Sequence, residues 1–238
     1  MMGRTHALTG LCAGLALAPA ADTTAQGALV AVVTAGFALL PDLDHPRARA
    51  SRLLGPVTGL LSRVLRAASR WLYARTKGPR DEPHTGEHRH ATHTLAFAVL
   101  TGTCIALGTW GLGTWFAAGT CLLGVVLAAD ALGDWVLVVA GIAGTAWWVP
   151  GYPVEALAGT GLWLGIAAGT GCLVHCLGDA LTLSGCPFLW PLPIAGETWY
   201  EIRPPRPLRF RTGGVVEQVV VFPAFVVVAV ALAYGAVT

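Results

Sequence analysis

Charge is what this 238-residue chain has least of: Asp, Glu, Lys and Arg together make up 12% of it, against 55% hydrophobic residues. A soluble globular domain carries about twice that charge. The water-soluble classes are thereby excluded, and a mean hydropathy of +0.64 points to a membrane protein. No C-x-x-C pair occurs among Cys12, Cys104, Cys121, Cys172, Cys176 and Cys186. Five of the six sit in or beside apolar stretches, so they read as small buried thiols, not as a disulfide framework or zinc thiolates. The chain also lacks internal repeats, low-complexity tracts, a sizeable soluble domain and any DNA-reading motif, so no nucleic-acid partner is expected.

What the chain does have is long apolar runs, over residues 28–40, 94–129, 131–149, 156–174 and 215–234. The last has the length a bilayer requires, roughly 20 residues. The cations fall in three groups: Arg4, ten Lys/Arg from Arg47 to Arg89, and Arg203, Arg206, Arg209 and Arg211. The positive-inside rule places all three on the cytoplasmic side. Crossings over 7–21, 28–41, 94–110, 112–129, 131–149, 156–174 and 215–234 satisfy that placement. The first pair is short enough to be a tilted or partly submerged hairpin. Arg4 ahead of "LALAPAAD" imitates a signal peptide, but cleavage would remove His6, and an uncleaved first helix is expected. The fold class is therefore an all-α polytopic membrane protein. It forms a single membrane-embedded domain over 1–238, with cytoplasmic segments 42–93 and 175–214 and a final span at 215–234.

Within 42–93, "PVTGLLSRVLRAASRWLYAR" repeats Leu60, Leu61, Val64, Leu65, Ala68, Trp71 and Leu72 at helical spacing, with Arg63, Arg66 and Arg70 on another face. This predicts a helix lying in the headgroup plane with its basic face towards anionic lipid, or else one packed on the bundle. Segment 175–214 is rich in Pro and aromatic residues and is expected to be irregular or short-stranded.

Ionisable groups at a membrane edge are costly and therefore candidate functional groups. They come as His6; Asp42, Asp44 and His45 in "PDLDHP"; His88, His90 and His93 in "HRHATH"; and His175 and Asp179 in "HCLGD". All map to cytoplasmic ends of spans in a topology drawn from Lys and Arg alone. His175 and Asp179, four apart, share a helix face. Asp42, Asp44 and His45 lie between two prolines, where a helix ends and a loop turns inward. His88 and His93 would diverge by about 140° on a helix, which favours a loop residue plus one in the first turn of a span capped by Thr92. Imidazole and carboxylate suit zinc, manganese or iron. Each cluster alone reads equally as a solvated turn, a basic cap or a structural His–Asp bond; together they predict a metal site built from His6, Asp42, Asp44, His45, His88, His93, His175 and Asp179. Asp130 and Asp134, at another inner edge, read as a helix junction.

At these residues the sequence resembles the YdjM family of inner-membrane metal-dependent hydrolases, also described as LexA-binding. The matching stretches are His6, "LLPDLDHP", "HRHATHT" and "HCLGDALTLSGCPFLWP", in family order over most of the chain. His90 stands where the family usually has Gly, and Thr94 where it has Ser. More distantly, "HCLGD" is similar to the H-x-L-G-D segment of zinc-dependent phospholipases C, without the further His that follows there. The resemblance implies a hydrolase. Eight candidate ligands exceed the roughly three protein ligands of one catalytic zinc, so the expectation is two divalent ions, with Asp44 as proton acceptor and Arg89 holding a substrate phosphate or serving only as a topology cation. Location at the headgroup plane suggests membrane lipid as partner and a phosphoester or lipid-linked phosphate as substrate. The rivals are a partner-binding regulatory protein with a structural metal, and a transporter, which would place ligands at mid-membrane depth.

Overall fold

The computed structural model describes residues 1–46, 48–148, 157 and 159–235. The apolar runs become helices α1 (Gly3–Leu17), α2 (Thr24–Phe37), α4 (Leu95–Leu112), α5 (Thr114–Leu132), α6 (Trp135–Trp148), α7 (Gly161–Ala180) and α8 (Phe222–Gly235), while α3 (Pro56–Thr76) is the amphipathic segment. No strands form among the described residues; segment 181–214 is held by isolated bridges such as Cys186 with Ile202 and Thr182 with Phe210. Five stretches are long and apolar enough to cross a membrane: Thr24–Asp44, Leu95–Leu112, Thr114–Leu132, Gly161–Ala180 and Glu217–Gly235. The chain is an all-α polytopic membrane protein.

Helix α2 is the axis, packed against α1, α5, α6 and α7, with Val30, Val33 and Phe37 in the main core. Glycine permits the closest approaches. A Cβ on Gly36 would collide with the carbonyl oxygen of Gly124 on α5, and one on Gly171 of α7 would lie 2.6 Å from that of Thr34. Without an oil–water difference to drive helix association in a bilayer, such small-residue contacts supply the packing. The outer helices leave Leu107, Trp115, Ile142 and Val227 exposed, as lipid-facing surfaces require.

Two local expectations change. Helix α1 starts at Gly3, four residues ahead of the expected crossing at 7–21, and buries His6 at the end of its first turn. Helix α3 has three faces, not two: Leu60, Leu61, Val64 and Trp71 are exposed, Arg63 and Arg70 point elsewhere, and a stripe of Thr58, Ser62, Ser69 and Tyr73 is buried. Through that stripe α3 packs on the short turns at Pro41–Asp44, Ala50–Arg52 and Ala91–His93. Ser69 Oγ donates to the Gly86 carbonyl at 2.6 Å and accepts from the Ala91 amide at 3.2 Å, so the helix clamps the histidine-bearing loop.

Candidate metal centre

The site lies at one end of the bundle, where α1 begins, α2 ends, α4 begins and α7 ends. Pro41 closes α2 into the single 3-10 turn Pro41–Asp44, anchored by Leu43 at 1% exposure, which turns Asp42 towards His175 of α7 and Asp44 towards the His88–His93 loop. His93 ends a second such turn, Ala91–His93. The α4 N-cap is Thr94, whose hydroxyl accepts from the Phe97 amide at 3.1 Å. Thr92, predicted for that task, donates its hydroxyl to Asp44 Oδ2 at 2.6 Å instead, because the preceding turn tips it inward.

Four atoms converge. His93 Nε2 and His175 Nε2 are 3.1 Å apart, and Asp179 Oδ2 lies 3.5 and 3.7 Å from them. Asp42 Oδ1 is 3.7 Å from His175 Nε2 and 3.9 Å from His93 Nε2. Ligands placed 2.0–2.2 Å from one tetrahedral ion stand about 3.3–3.6 Å from one another, so the spacing fits an ion with modest contraction. Hydrogen bonding supports the fit. His175 Nδ1 faces the Ala38 carbonyl at 2.7 Å, so it carries the proton and leaves Nε2 a lone pair. Thr92 uses its hydrogen on Asp44, so His93 Nδ1 donates to Thr92 Oγ1 at 2.9 Å, and His93 Nε2 is likewise left as acceptor. Asp179 Oδ2 is buried with no hydrogen-bond partner. Four electron-rich atoms facing one another call for a cation. Two groups of side chains could each hold a metal ion, Asp42, Asp44, His88 and His93 in one and His6, His175 and Asp179 in the other, and the four converging atoms take two from each.

Around this inner set the other residues orient. Asp44, fully buried, accepts from His88 Nδ1 at 2.6 Å, Thr92 and the Arg89 amide at 3.2 Å. His6 stacks on His175 at 3.7 Å, and its Nε2 meets Asp179 Oδ1 at 3.2 Å. Arg89 reaches the same oxygen at 3.1 Å and Thr182 Oγ1 at 3.1 Å, and the Met1 amino group pairs with it too. Asp179 thus has one oxygen saturated with donors and the other bare. Arg89 sits at φ 58°, a left-handed conformation of the kind found at functional sites, held by its amide and guanidinium bonds together. Burial disfavours a charged His93, but the Asp44 and Asp179 carboxylates outweigh it and raise its pKa to about 9, a sign that the cluster attracts positive charge.

The remaining predicted residues stand apart from the four. His45 meets His88 edge-on at 4.6 Å and lines a cavity of about 460 Å³ with Arg4, Asp42, Arg49, His88 and Arg89. Asp130 is more than a helix junction: it lines the same cavity and pairs with Arg49 at 2.8 Å. His90 turns away, its ring against Tyr73 at 4.6 Å and Trp199 at 5.4 Å, where burial lowers its pKa to about 4. Thr92 and the Ala38 carbonyl were missed as site groups. The first had a signal in "THT"; the second had none, since every residue carries a carbonyl.

An all-α bundle with a buried His/Asp cluster at one end of its helices defines the class as a multi-pass membrane protein with a candidate metal centre. The sequence model of the family described as YdjM inner membrane protein matches residues 1–237, and the chain belongs to that family. No curated protein and no solved structure matches it.

Proposed function

We propose that this chain is an integral-membrane metal-dependent hydrolase that cleaves a phosphoester or lipid-linked phosphate at the cytoplasmic face. The observation that carries this reading is the convergence of His93 Nε2, His175 Nε2, Asp179 Oδ2 and Asp42 Oδ1 beside a cavity walled by Arg4, Arg49 and Arg89. The orientation rests on the Arg-rich segments collecting at the site's end of the bundle, and the exposed Leu60, Val64 and Trp71 strip of α3 suits the headgroup plane.

His93, His175 and Asp179, each nearly or fully buried, would hold the ion. Zinc fits the donor set, and manganese or iron are compatible with it. A divalent ion held there would supply a water of lowered pKa and would polarise a phosphoryl oxygen. Asp42 is the one carboxylate of the four that reaches the cavity, its side chain 21% exposed; in this reading it stays off the ion, and its Oδ1 would take the water proton. That role replaces the expectation for Asp44, whose oxygens are already engaged by His88, Thr92 and the Arg89 amide. The four converging atoms share one position, so one ion is proposed there in place of the expected two. Arg89 and Arg49 oppose the phosphate charge, while the Asp44–Thr92–His93 and Ala38–His175 bonds fix the imidazoles.

A second reading has an observation of its own: four protein donors also suit a closed structural zinc site, in a regulatory membrane protein without turnover. Asp42→Asn separates the two. A proton acceptor's loss abolishes phosphoester hydrolysis and leaves metal content intact; loss of the ion together with thermal stability would identify the structural site.

A further inference from the structure

Beside the polar cavity lies an apolar groove of about 620 Å³ between α1, α7 and α8, lined among others by Ala13, Leu177, Gly178, Val221 and Phe225. Its size falls within the roughly 300–1,000 Å³ of ligand sites. Thr9 also lines it, but its hydroxyl is turned onto the His6 carbonyl at 2.9 Å, so the wall is effectively hydrocarbon. The groove and the cavity share Met1 as a common wall. On the groove side, a Cβ on Gly178 would run into the Met1 side chain and lie 3.4 Å from the His6 ring, and Gly178 precedes Asp179. A second apolar groove, between α4 and α7 at Gly102 and Gly165, has no such polar end.

We infer that the α1–α7–α8 groove binds one acyl chain of an anionic phospholipid whose phosphate enters the Arg4–Arg49–Arg89 cavity. Three observations commit the site to that occupant. Two of its three walls, α7 and α8, are long and apolar enough to cross a membrane, so the medium the groove meets is lipid hydrocarbon and not water. From Gly3, at the cavity, to Ala13, in the groove, α1 rises about 15 Å at 1.5 Å per residue, half of the roughly 30 Å hydrocarbon core, which is the depth of one leaflet. The cavity at its head is lined by Arg4, Arg49 and Arg89, which, with two of them already paired to Asp130 and Asp179, still outnumber its acidic lining residues Asp42 and Asp130 and so favour a phosphate. The mouth is fixed by the π-helical turn Glu217–Val221, where Glu217 accepts from the Met2 amide at 2.6 Å and the Gly213 amide at 2.7 Å. This inference names the substrate class of the proposed hydrolase and rests on that reading for the headgroup's place.

The test uses the full chain in nanodiscs containing phosphatidylglycerol with a diazirine on one acyl chain, with photolabelled residues mapped by peptide mass spectrometry. Labelling concentrates on Leu177, Val221 and Phe225, and falls at least about fivefold in Ala224→Trp or Ala13→Leu, since each fills the site instead of weakening one contact. Leu107→Trp, on the lipid-facing side of α4, leaves it unchanged, and metal content in all three variants reports an intact fold. Even labelling around the bundle, or labelling indifferent to both groove-filling variants, overturns the inference. Hydrolysis of a water-soluble aryl phosphate, measured on the same preparations, keeps the two readings apart. Turnover with even labelling removes the lipid site and leaves the hydrolase. Groove labelling without turnover removes the hydrolase and leaves a lipid-binding site.

Discussion

Two histidine-rich regions lie side by side in this protein, and a single loop supplies both. From "HRHATH", His88 and His93 turn to the carboxylates of Asp44, Asp42 and Asp179, while His90 turns to Tyr73, Trp199 and His84. In the first region each imidazole has one nitrogen pinned by an oxygen, and two of them aim the other at a common point. In the second the ring is packing material, 5% exposed among aromatic faces, and its hydrogen bond from Nδ1 to the His88 carbonyl at 2.8 Å leads back into its own loop. The number of histidines does not distinguish a metal centre from an aromatic core. The partners of the second nitrogen do.

The largest effect should come from the inner set. His93→Ala or Asp179→Ala removes one of the three buried side chains proposed to hold the ion, and bound transition metal should fall to background in purified protein, whereas His90→Ala should retain it. Next come the groups that orient: Thr92→Val or His88→Ala should weaken metal binding by roughly 10–100-fold, the usual cost of losing an outer-shell partner, read by competition with a chromophoric chelator. Equal metal affinity in Thr92→Val and the parent would break the comparison, because pinning of the second nitrogen would then not matter.

Arg89→Ala should raise KM for an anionic phosphoester more than it lowers metal content, provided the lost Asp179 contact is replaced by solvent. The smallest effect belongs to the aromatic side. With a pKa lowered to about 4 from an ordinary 6.5, His90 takes up its proton more readily in the unfolded chain than in the folded one. Its neutral, packed state therefore supports the fold fully above pH 6.5, and that support is lost as pH falls from 6.5 towards 4. His90→Gln should flatten this acid limb of the thermal midpoint measured in detergent; an unchanged limb would show that another group titrates.

Much of the fold was legible because membrane helices leave long unbroken apolar runs, and α2, α4, α5, α7 and α8 follow them closely. The convergence of four sequence clusters at one end of the bundle followed from counting crossings against arginines. What could not be read was which atoms face which. Asp42 and Asp44 are two residues apart in one turn, and only the fold turns the first to the cavity and buries the second under Thr92. His6 seemed to precede its helix because Thr5 and Arg4 break the hydropathy there, although helical geometry does not require apolar residues. The buried polar stripe of α3 escaped because Ser and Thr at helical spacing carry no hydropathy signal; their role appears only with the loop they hold.

The most direct measurement is the stoichiometry of bound transition metal, by elemental mass spectrometry, in the parent chain, His90→Ala and His93→Ala after identical reconstitution with zinc. One equivalent in the first two and none in the third is the predicted result. Two equivalents in the parent would contradict the assignment of Asp44 and His88 as orienting groups, and no metal in any of the three would contradict the metal centre itself.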